Sequence, residues 1–118
     1  MAPNKAQVKL TNVSKRIVIA NDLKVAKSPA DKFLGLLKNS NPRFLLFKTR
    51  FGIHTLFLKN PIDIIVLNNQ NIVKKTATLN PNKFFFYNPF YSRVLELPSG
   101  TIKKSKIEIE DKLTINSD

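Results

Sequence analysis

The sequence predicts a mainly β fold of the α+β class: a compact single-domain barrel or sandwich with one short helix near residues 29–38. Short runs rich in β-branched and aromatic residues alternate with turns rich in asparagine and proline. Only one stretch has the period of a helix. The 118 residues, 42% of them hydrophobic, suffice for one domain with a real core. Closing or stacking the strands would leave few exposed sheet edges.

The N-terminal part of the chain predicts a loose segment followed by a hairpin. Residues 1–13 are polar and lack periodicity, so we expect them to be loosely ordered and to precede one β-rich domain over residues 14–116. Residues 15–20 are rich in β-branched side chains and predict a strand. An Asn-Asp pair then predicts a turn, and residues 23–26 alternate as a second strand. These features indicate a first hairpin.

The predicted helix comes next. Ser28 is a suitable N-cap, Pro29 suits the first helical position, and Asp31 favours the positive end of the helix dipole. Apolar residues recur on one face at the spacing i, i+3, i+4 and i+7: Ala30, Phe33, Leu34 and Leu37. The polar run at residues 39–42, which ends in proline, stops the helix.

The rest of the chain predicts short strands. They lie at residues 44–47, 55–58, 62–67, 72–79, 93–97 and within 107–115, and the aromatic stretch at residues 83–91 is interrupted by Asn88 and Pro89. The connection Lys59-Asn60-Pro61 predicts a hairpin between the strands that flank it. Residues 68–71 predict a turn, because asparagine tolerates positive φ better than most residues. The strand after this turn would return beside residues 62–67.

Six motifs in this order resemble a known family. They are GLL (35–37), LLF (45–47), GIHTLFL (52–58), PIDIIVL (61–67), LNP (79–81) and VLELPSGT (94–101). The pattern is similar to the family called domain of unknown function 192, especially its archaeal-type members. The resemblance runs from about residue 26 to residue 115. It implies a compact, mainly β domain with a short helix, and no established reaction, cofactor or partner.

Two turns depart from the family pattern. The family often has a glycine-aspartate pair before its last strand, where this chain has Glu110 and Asp111. The turn after the isoleucine-aspartate strand often contains glycine, whereas residues 68–71 here are Asn-Asn-Gln-Asn. Both departures put the local turn geometry in question rather than the fold.

The net charge of +12 is unevenly distributed. Residues 1–60 carry 12 basic and 2 acidic side chains (12 − 2 = +10), whereas residues 61–118 carry 8 and 6 (8 − 6 = +2). This asymmetry is typical of a surface that faces nucleic acid, acidic lipid or a phosphorylated partner. The alternative is that the charge serves only solubility, because most basic residues are scattered singly.

Composition excludes several function classes. Without cysteine there are no disulfides, thiolate metal sites or cysteine nucleophiles, and with one histidine we predict no metal and no cofactor. The three glycines form no phosphate-binding loop. The polar N-terminus lacks the apolar core of a signal peptide, and no apolar run approaches the length of a membrane span. We therefore expect a cytoplasmic protein.

The lone histidine, His54, and Asp63 are weak catalytic candidates, and no catalytic residue is assigned. They could line a cleft with Arg50 and transfer protons or bind an anion. Alternatively, Asp63 accepts backbone N–H bonds that fix the connection of residues 59–61, which we favour because an aspartate beside a turn commonly does so. Glu96 alternates with apolar neighbours and is expected to face solvent or bridge to a lysine.

Basic side chains near the family-like strands are the candidate anion-binding residues: Arg43, Lys48, Arg50 and Lys59. Arg50 precedes Phe51, and a planar cation beside an aromatic ring suits stacking or phosphate recognition. The alternative is an ordinary solvated rim of the strands.

Six of the eleven aromatic residues form one run: Phe84, Phe85, Phe86, Tyr87, Phe90 and Tyr91. A strand buries only alternate side chains on one face, so either some rings face outward or both faces are covered. Outward rings would form a patch able to bind a ligand, a base or a second subunit. Inward rings would plug the end of a barrel.

The sequence thus leaves three hypotheses. The first is a non-enzymatic binding module for nucleic acid or another polyanion. The second is a small enzyme that uses Asp63 and His54. The third is a structural or interaction protein that forms a homodimer through the run at residues 84–91.

Overall fold

The protein is described by a computed structural model, which covers residues 8–26, 44–50, 52–55 and 58–117. The strands in this part of the chain are β1 (Val8–Asn12), β2 (Ile17–Ala20), β3 (Lys24–Val25), β4 (Leu45–Lys48), β5 (Gly52–His54), β6 (Ile62–Leu67), β7 (Val73–Leu79), β8 (Phe84–Phe86), β9 (Arg93–Pro98) and β10 (Leu113–Ser117). One short helix, α1 (Thr101–Lys104), lies between β9 and β10.

The described strands form three sheets. The central sheet has the order β3-β4-β9-β6-β7, with β3 parallel to β4 and every other pair antiparallel. A second sheet has the order β10-β1-β2, and β5 pairs with β8 as a two-stranded ribbon. Within this part of the chain the sheets stack without closing into a barrel. The predicted mainly β fold is confirmed in its sandwich-like form.

The central sheet is covered on both faces. Alternate residues of β6 point to opposite faces: Ile65 and Leu67 join a core with β1, β2 and β10, whereas Ile64 and Val66 join a core with the ribbon. These four side chains have no exposed surface, and each contributes about 1.5–3 kcal/mol by burial. Because β6 is buried on both faces, all of its residues other than Asp63 are apolar.

The hairpin predicted across residues 59–61 is wrong. Both edges of β6 are occupied, by β7 on one side and β9 on the other, so β6 has no edge left for the predicted hairpin. Instead His54 and its neighbours in β5 pair with β8. The expectation that Glu96 faces solvent is also wrong, because Glu96 is buried in the covered central strand β9.

The N-terminal expectations need a similar correction. The first hairpin is wrong, because β2 pairs with β1 and β3 pairs in parallel with β4. Val8–Asn12 form β1 between β2 and β10, so loose order does not extend to these residues. The helix near residues 29–38 lies outside the described residues.

The turn between β6 and β7 is confirmed. Asn71 has a φ of 61°, in the left-handed region that asparagine tolerates. The side-chain oxygen of Asn68 accepts backbone hydrogen bonds from Gln70 and Ile72, both at 2.9 Å. Asparagines therefore build this turn where the family often uses glycine.

Candidate functional site

Asp63 is buried in β6 with 1% of its surface exposed. Its carboxylate accepts hydrogen bonds from the Thr78 hydroxyl at 2.7 Å, the Gly100 N–H at 3.1 Å and the Ile102 N–H at 2.9 Å. Gly100 is the N-cap of α1 and has no capping side chain, so Asp63 supplies the cap from a neighbouring strand. These donors satisfy a carboxylate that would otherwise be costly to bury. We call Asp63 with its three donors the Asp63 site.

The structure does not bring Asp63 and His54 together. The Asp63 side chain shares the face of β6 that carries Ile65, which packs toward β1, β2 and β10. His54 belongs to the ribbon on the other side of the central sheet. The backbone-binding role expected of Asp63 is present, but it acts on α1 rather than on the connection at residues 59–61.

The aromatic run divides between the two faces of the ribbon. Phe85 is 8% exposed and packs with Tyr87 against the central sheet. Phe84 and Phe86 point outward and are 62% and 68% exposed. The alternation of strand side chains therefore separates three consecutive phenylalanines into one core ring and two surface rings.

The two outward rings lie nearly parallel to each other. Their planes differ by 5° with centroids 6.4 Å apart, and the His54 ring meets the edge of Phe84 at 6.2 Å. Gly52 lies opposite Phe86, where an added Cβ would approach the Phe86 ring to 2.9 Å and the Phe85 carbonyl oxygen to 2.6 Å. Glycine at this position lets the Phe86 ring cover the ribbon backbone. We call His54, Phe84 and Phe86 the aromatic face.

The segment after β8 is tied to the ribbon. The Tyr87 hydroxyl donates to the Thr49 carbonyl, and burial raises the pKa of Tyr87 to about 12. The Arg50 guanidinium donates to the Pro89 carbonyl at 2.8 Å beside Phe90, which is 77% exposed. The Phe90 and Tyr91 rings meet edge to face at 6.0 Å. Arg50 thus lies at the border of the exposed aromatic run.

Of the other predicted anion-binding residues, Lys48 and Lys59 are exposed, whereas Arg43 lies outside the described residues. Sequence reasoning missed Lys75 and Lys83. Lys83 is exposed and immediately precedes Phe84, and the Lys75 ammonium donates to the Phe86 carbonyl at 2.9 Å. One feature of the sequence could have indicated them. The segment Gly-Ile-His of β5 can pair with the three phenylalanines of β8, and this pairing would bring the flanking lysines together.

The sequence around the ribbon contains no exposed acidic residue. Residues 32–62 and 64–95 include all of β4, β5, β7 and β8 and carry ten basic side chains. The acid between these two ranges is Asp63, which is buried on the opposite face of the central sheet. Glu96 of β9 lies on the face of the central sheet that packs against the ribbon, but it is buried. The exposed charged groups described around the aromatic face are basic, a distribution that favours anions.

A second buried carboxylate, Asp111, stabilises the segment before β10. It accepts hydrogen bonds from Lys15 at 2.8 Å, the Glu108 N–H at 3.0 Å and Asn12 at 3.1 Å. Burial is the largest influence and opposes ionisation, but these donors together lower the pKa of Asp111. The same contacts raise the pKa of Lys15. This cluster joins β1 to the segment before β10. The hydrogen-bond donors around Asp111 compensate the cost of burying its negative charge.

Comparison with known proteins places the chain in a family. Residues 9–115 match the family described as DUF192, uncharacterized ACR. The chain belongs to the DUF192 family. It is 30% identical over 114 residues to UPF0127 protein PF1050 of Pyrococcus furiosus, covering 91% of this chain and 97% of that protein. It is 27% identical to UPF0127 protein PYRAB11210 of Pyrococcus abyssi, with 88% and 94% covered.

A solved structure shares the DUF192 fold of this chain. It is a protein of unknown function from Novosphingobium aromaticivorans, with a TM-score of 0.71 and 20% identity. The similarity covers 92% of this chain and 83% of that one. Among the described residues of this DUF192 protein, no helix is long and apolar enough to cross a membrane.

The departure from the DUF192 turn pattern at Glu110 has a conformational consequence. Glu110 has a φ of 76°, which favours glycine because a side chain there is strained. The aspartate of the pattern, Asp111, keeps its hydrogen-bonding role. The glycine-aspartate pattern is thus explained by a left-handed residue followed by a buried acceptor.

Proposed function

We propose that this DUF192 protein is a non-enzymatic binding module for a polyanion, with nucleic acid as its ligand. The observation that carries the proposal is the aromatic face, set in a basic surface whose surrounding sequence contains no exposed acidic residue. Basic side chains bind phosphates, and exposed rings offer surfaces on which bases stack. A polyanion with aromatic bases matches both halves of this surface.

The basic residues support phosphate contacts. Lys48, Arg50, Lys59 and Lys83 are exposed, and none of them makes a described salt bridge. The acidic partners in the described ion pairs lie elsewhere, at Asp22 and at residues 108–111. Arg43 remains a sequence-based candidate for the same role.

The competing hypotheses have unequal support. An enzyme that uses Asp63 and His54 needs both in one pocket, and their positions on opposite sides of the central sheet provide no such pocket. Self-association has one supporting observation, the outward rings of Phe84, Phe86 and Phe90. It is therefore the second candidate function.

The test is nucleic acid binding as a function of salt. We expect wild-type protein to bind oligonucleotides at low ionic strength, with log affinity falling linearly against log salt concentration. Replacing Lys48 and Arg50 with alanine together should reduce the slope by about 1.4 for a single strand, because each lost phosphate contact contributes about 0.7. Fluorescence anisotropy titrations at several salt concentrations measure this slope.

The matched control removes two charges from the opposite side of the molecule. Lys103 and Lys104 are exposed on α1, which packs toward the β1, β2 and β10 side. Replacing both with alanine should leave the slope near that of the wild type. Equal losses in the two double variants would mean that binding follows net charge alone. No detectable binding at low salt would refute the proposed function.

A further inference from the structure

We infer that the ligand is bound as a single strand, with unpaired bases stacked on the Phe84 and Phe86 rings. This inference rests on the proposed function and adds the class of nucleic acid and the residues that contact it. Base faces are accessible in single strands, whereas in a duplex they are covered by neighbouring base pairs. Exposed aromatic rings therefore select for unpaired bases.

The geometry of the aromatic face suits stacking. The two rings are within 5° of parallel, so bases stacked on them would share one orientation. The Phe86 ring rests over Gly52, and the His54 ring borders Phe84. Contacts on both sides limit the freedom of the rings before the ligand arrives, which reduces the entropy lost on binding.

The charges around the rings provide a path for the strand's phosphates. Lys83 adjoins Phe84, and Lys75 is anchored to the Phe86 carbonyl. Arg50 borders the same aromatic run through its bond to the Pro89 carbonyl. Basic groups thus occur at both ends of β8, where a backbone crossing the two rings would need them.

Charge complementarity favours nucleic acid over a second copy of this chain. Two copies that met through the aromatic face would bring Lys83 and Arg50 of each copy near the same residues of the other. Like charges in an interface cost free energy. No exposed acidic residue lies in the surrounding sequence to compensate them. A polyanion removes this repulsion and still covers the rings.

The experiment compares strand types and ring variants. Fluorescence anisotropy at low salt would measure binding of oligo(dT) and oligo(U) strands of about 12 nucleotides, a length within the site sizes of single-strand binding folds. A hairpin duplex of matched length is the third ligand. We expect both single strands to bind more tightly than the duplex. Because DNA and RNA share bases and phosphates, binding of either strand supports the inference, and their ratio identifies the preferred sugar.

The ring variants separate stacking from charge. Replacing Phe84 and Phe86 with serine should weaken single-strand binding by about tenfold or more for each ring. Replacing both with tyrosine should retain most of the affinity, because a phenol ring also stacks. Urea unfolding of each variant checks that the fold is retained, and the exposed positions are expected to tolerate all four substitutions.

Three outcomes would overturn the inference. Duplex binding as tight as single-strand binding would exclude selection for unpaired bases. The double serine variant could bind with wild-type affinity while the Lys48 and Arg50 variant loses affinity. That result would leave the proposed function intact but exclude a stacking role for Phe84 and Phe86. A wild-type dimer in sedimentation that dissociates in the serine variant would identify a second copy as the occupant.

Discussion

The Asp63 site and the aromatic face lie on opposite sides of the central sheet and use their side chains in opposite ways. Asp63 has a carboxylate, a group that enzymes often use in catalysis, yet it is buried and accepts three hydrogen bonds from the protein itself. Phe84 and Phe86 have side chains that are typical of a hydrophobic core, yet most of their surface is exposed. The group most suited to chemistry supports the fold, and the groups most suited to a core are available to a partner.

The layering of the sheets explains this contrast. β6 is covered on both faces, so a carboxylate in it must find donors within the protein. The β5–β8 ribbon packs on the central sheet through one face only, so every second aromatic residue of β8 faces outward. Substitutions on the two sides should therefore separate stability from binding.

The largest expected effect is on the Asp63 site. Replacing Asp63 with alanine removes the acceptor of the Gly100 and Ile102 N–H groups and of the Thr78 hydroxyl, of which Thr78 and Gly100 are exposed and can bond water instead. We expect the free energy of unfolding to fall by about 2–3 kcal/mol, the range for lost hydrogen bonds to a charged acceptor. Urea unfolding followed by circular dichroism measures it.

The counterpart variant is Phe86→Ser on the aromatic face. Its exposed position predicts a change of about 0.5 kcal/mol or less in the same unfolding experiment. A Phe86→Ser protein as unstable as Asp63→Ala would mean that the aromatic face also supports the fold, and the contrast between the two regions would fail.

The contrast also shows what sequence could and could not predict. Local signals were sufficient for the turn at residues 68–71 and for the pairing of the strands beside it. The pairing of β6 with β9 joins segments about thirty residues apart, and no local signal encodes it. Because that pairing occupies the second edge of β6, it excludes the hairpin predicted across residues 59–61.

The candidate site was predictable in composition but not in orientation. Strand alternation left two possibilities for the aromatic run, outward rings or rings covered on both faces, and it could not predict which rings would face outward. That choice depends on which face of β8 meets the central sheet, and the inward positions of Phe85 and Tyr87 set it. The role of Gly52 also depends on its pairing opposite Phe86, a contact between segments far apart in the chain.

The next largest expected effect concerns Asp111, which extends the comparison to pH. Its folded pKa is lowered, so the stability it contributes is present above the unfolded pKa of about 3.9 and is lost as pH falls through the folded value. Replacing Asp111 with asparagine should cost about 1.5 kcal/mol at neutral pH. The difference from wild type should shrink below about pH 4, as the wild-type carboxylate is protonated.

Asp22 provides the matched control for this pH series, because it pairs with Lys24 on the surface, where both side chains are more than half exposed. Replacing Asp22 with asparagine should change stability by about 0.5 kcal/mol or less at any pH in the series. Urea midpoints between acidic and neutral pH measure both variants. An Asp111 variant whose deficit stays constant down to the most acidic sample would contradict the assigned role of its ionised form.

The smallest expected effect is a gain in stability at Glu110. This residue has a φ of 76° and lies on the structural side of the contrast, next to Asp111. Replacing it with glycine removes the strain of a side chain in the left-handed region but increases the freedom of the unfolded chain. Its exposed ion pair with Lys74 contributes little, so we expect a net gain of about 0.5–1 kcal/mol.

Glu110→Ala is the control: it loses the same ion pair but keeps the strain, so it should be no more stable than wild type in the same urea experiment. If both variants are equally stable, strain at this turn is not what the family's glycine relieves. Oligonucleotide binding by the glycine variant should match that of the wild type, because the change lies away from the ribbon.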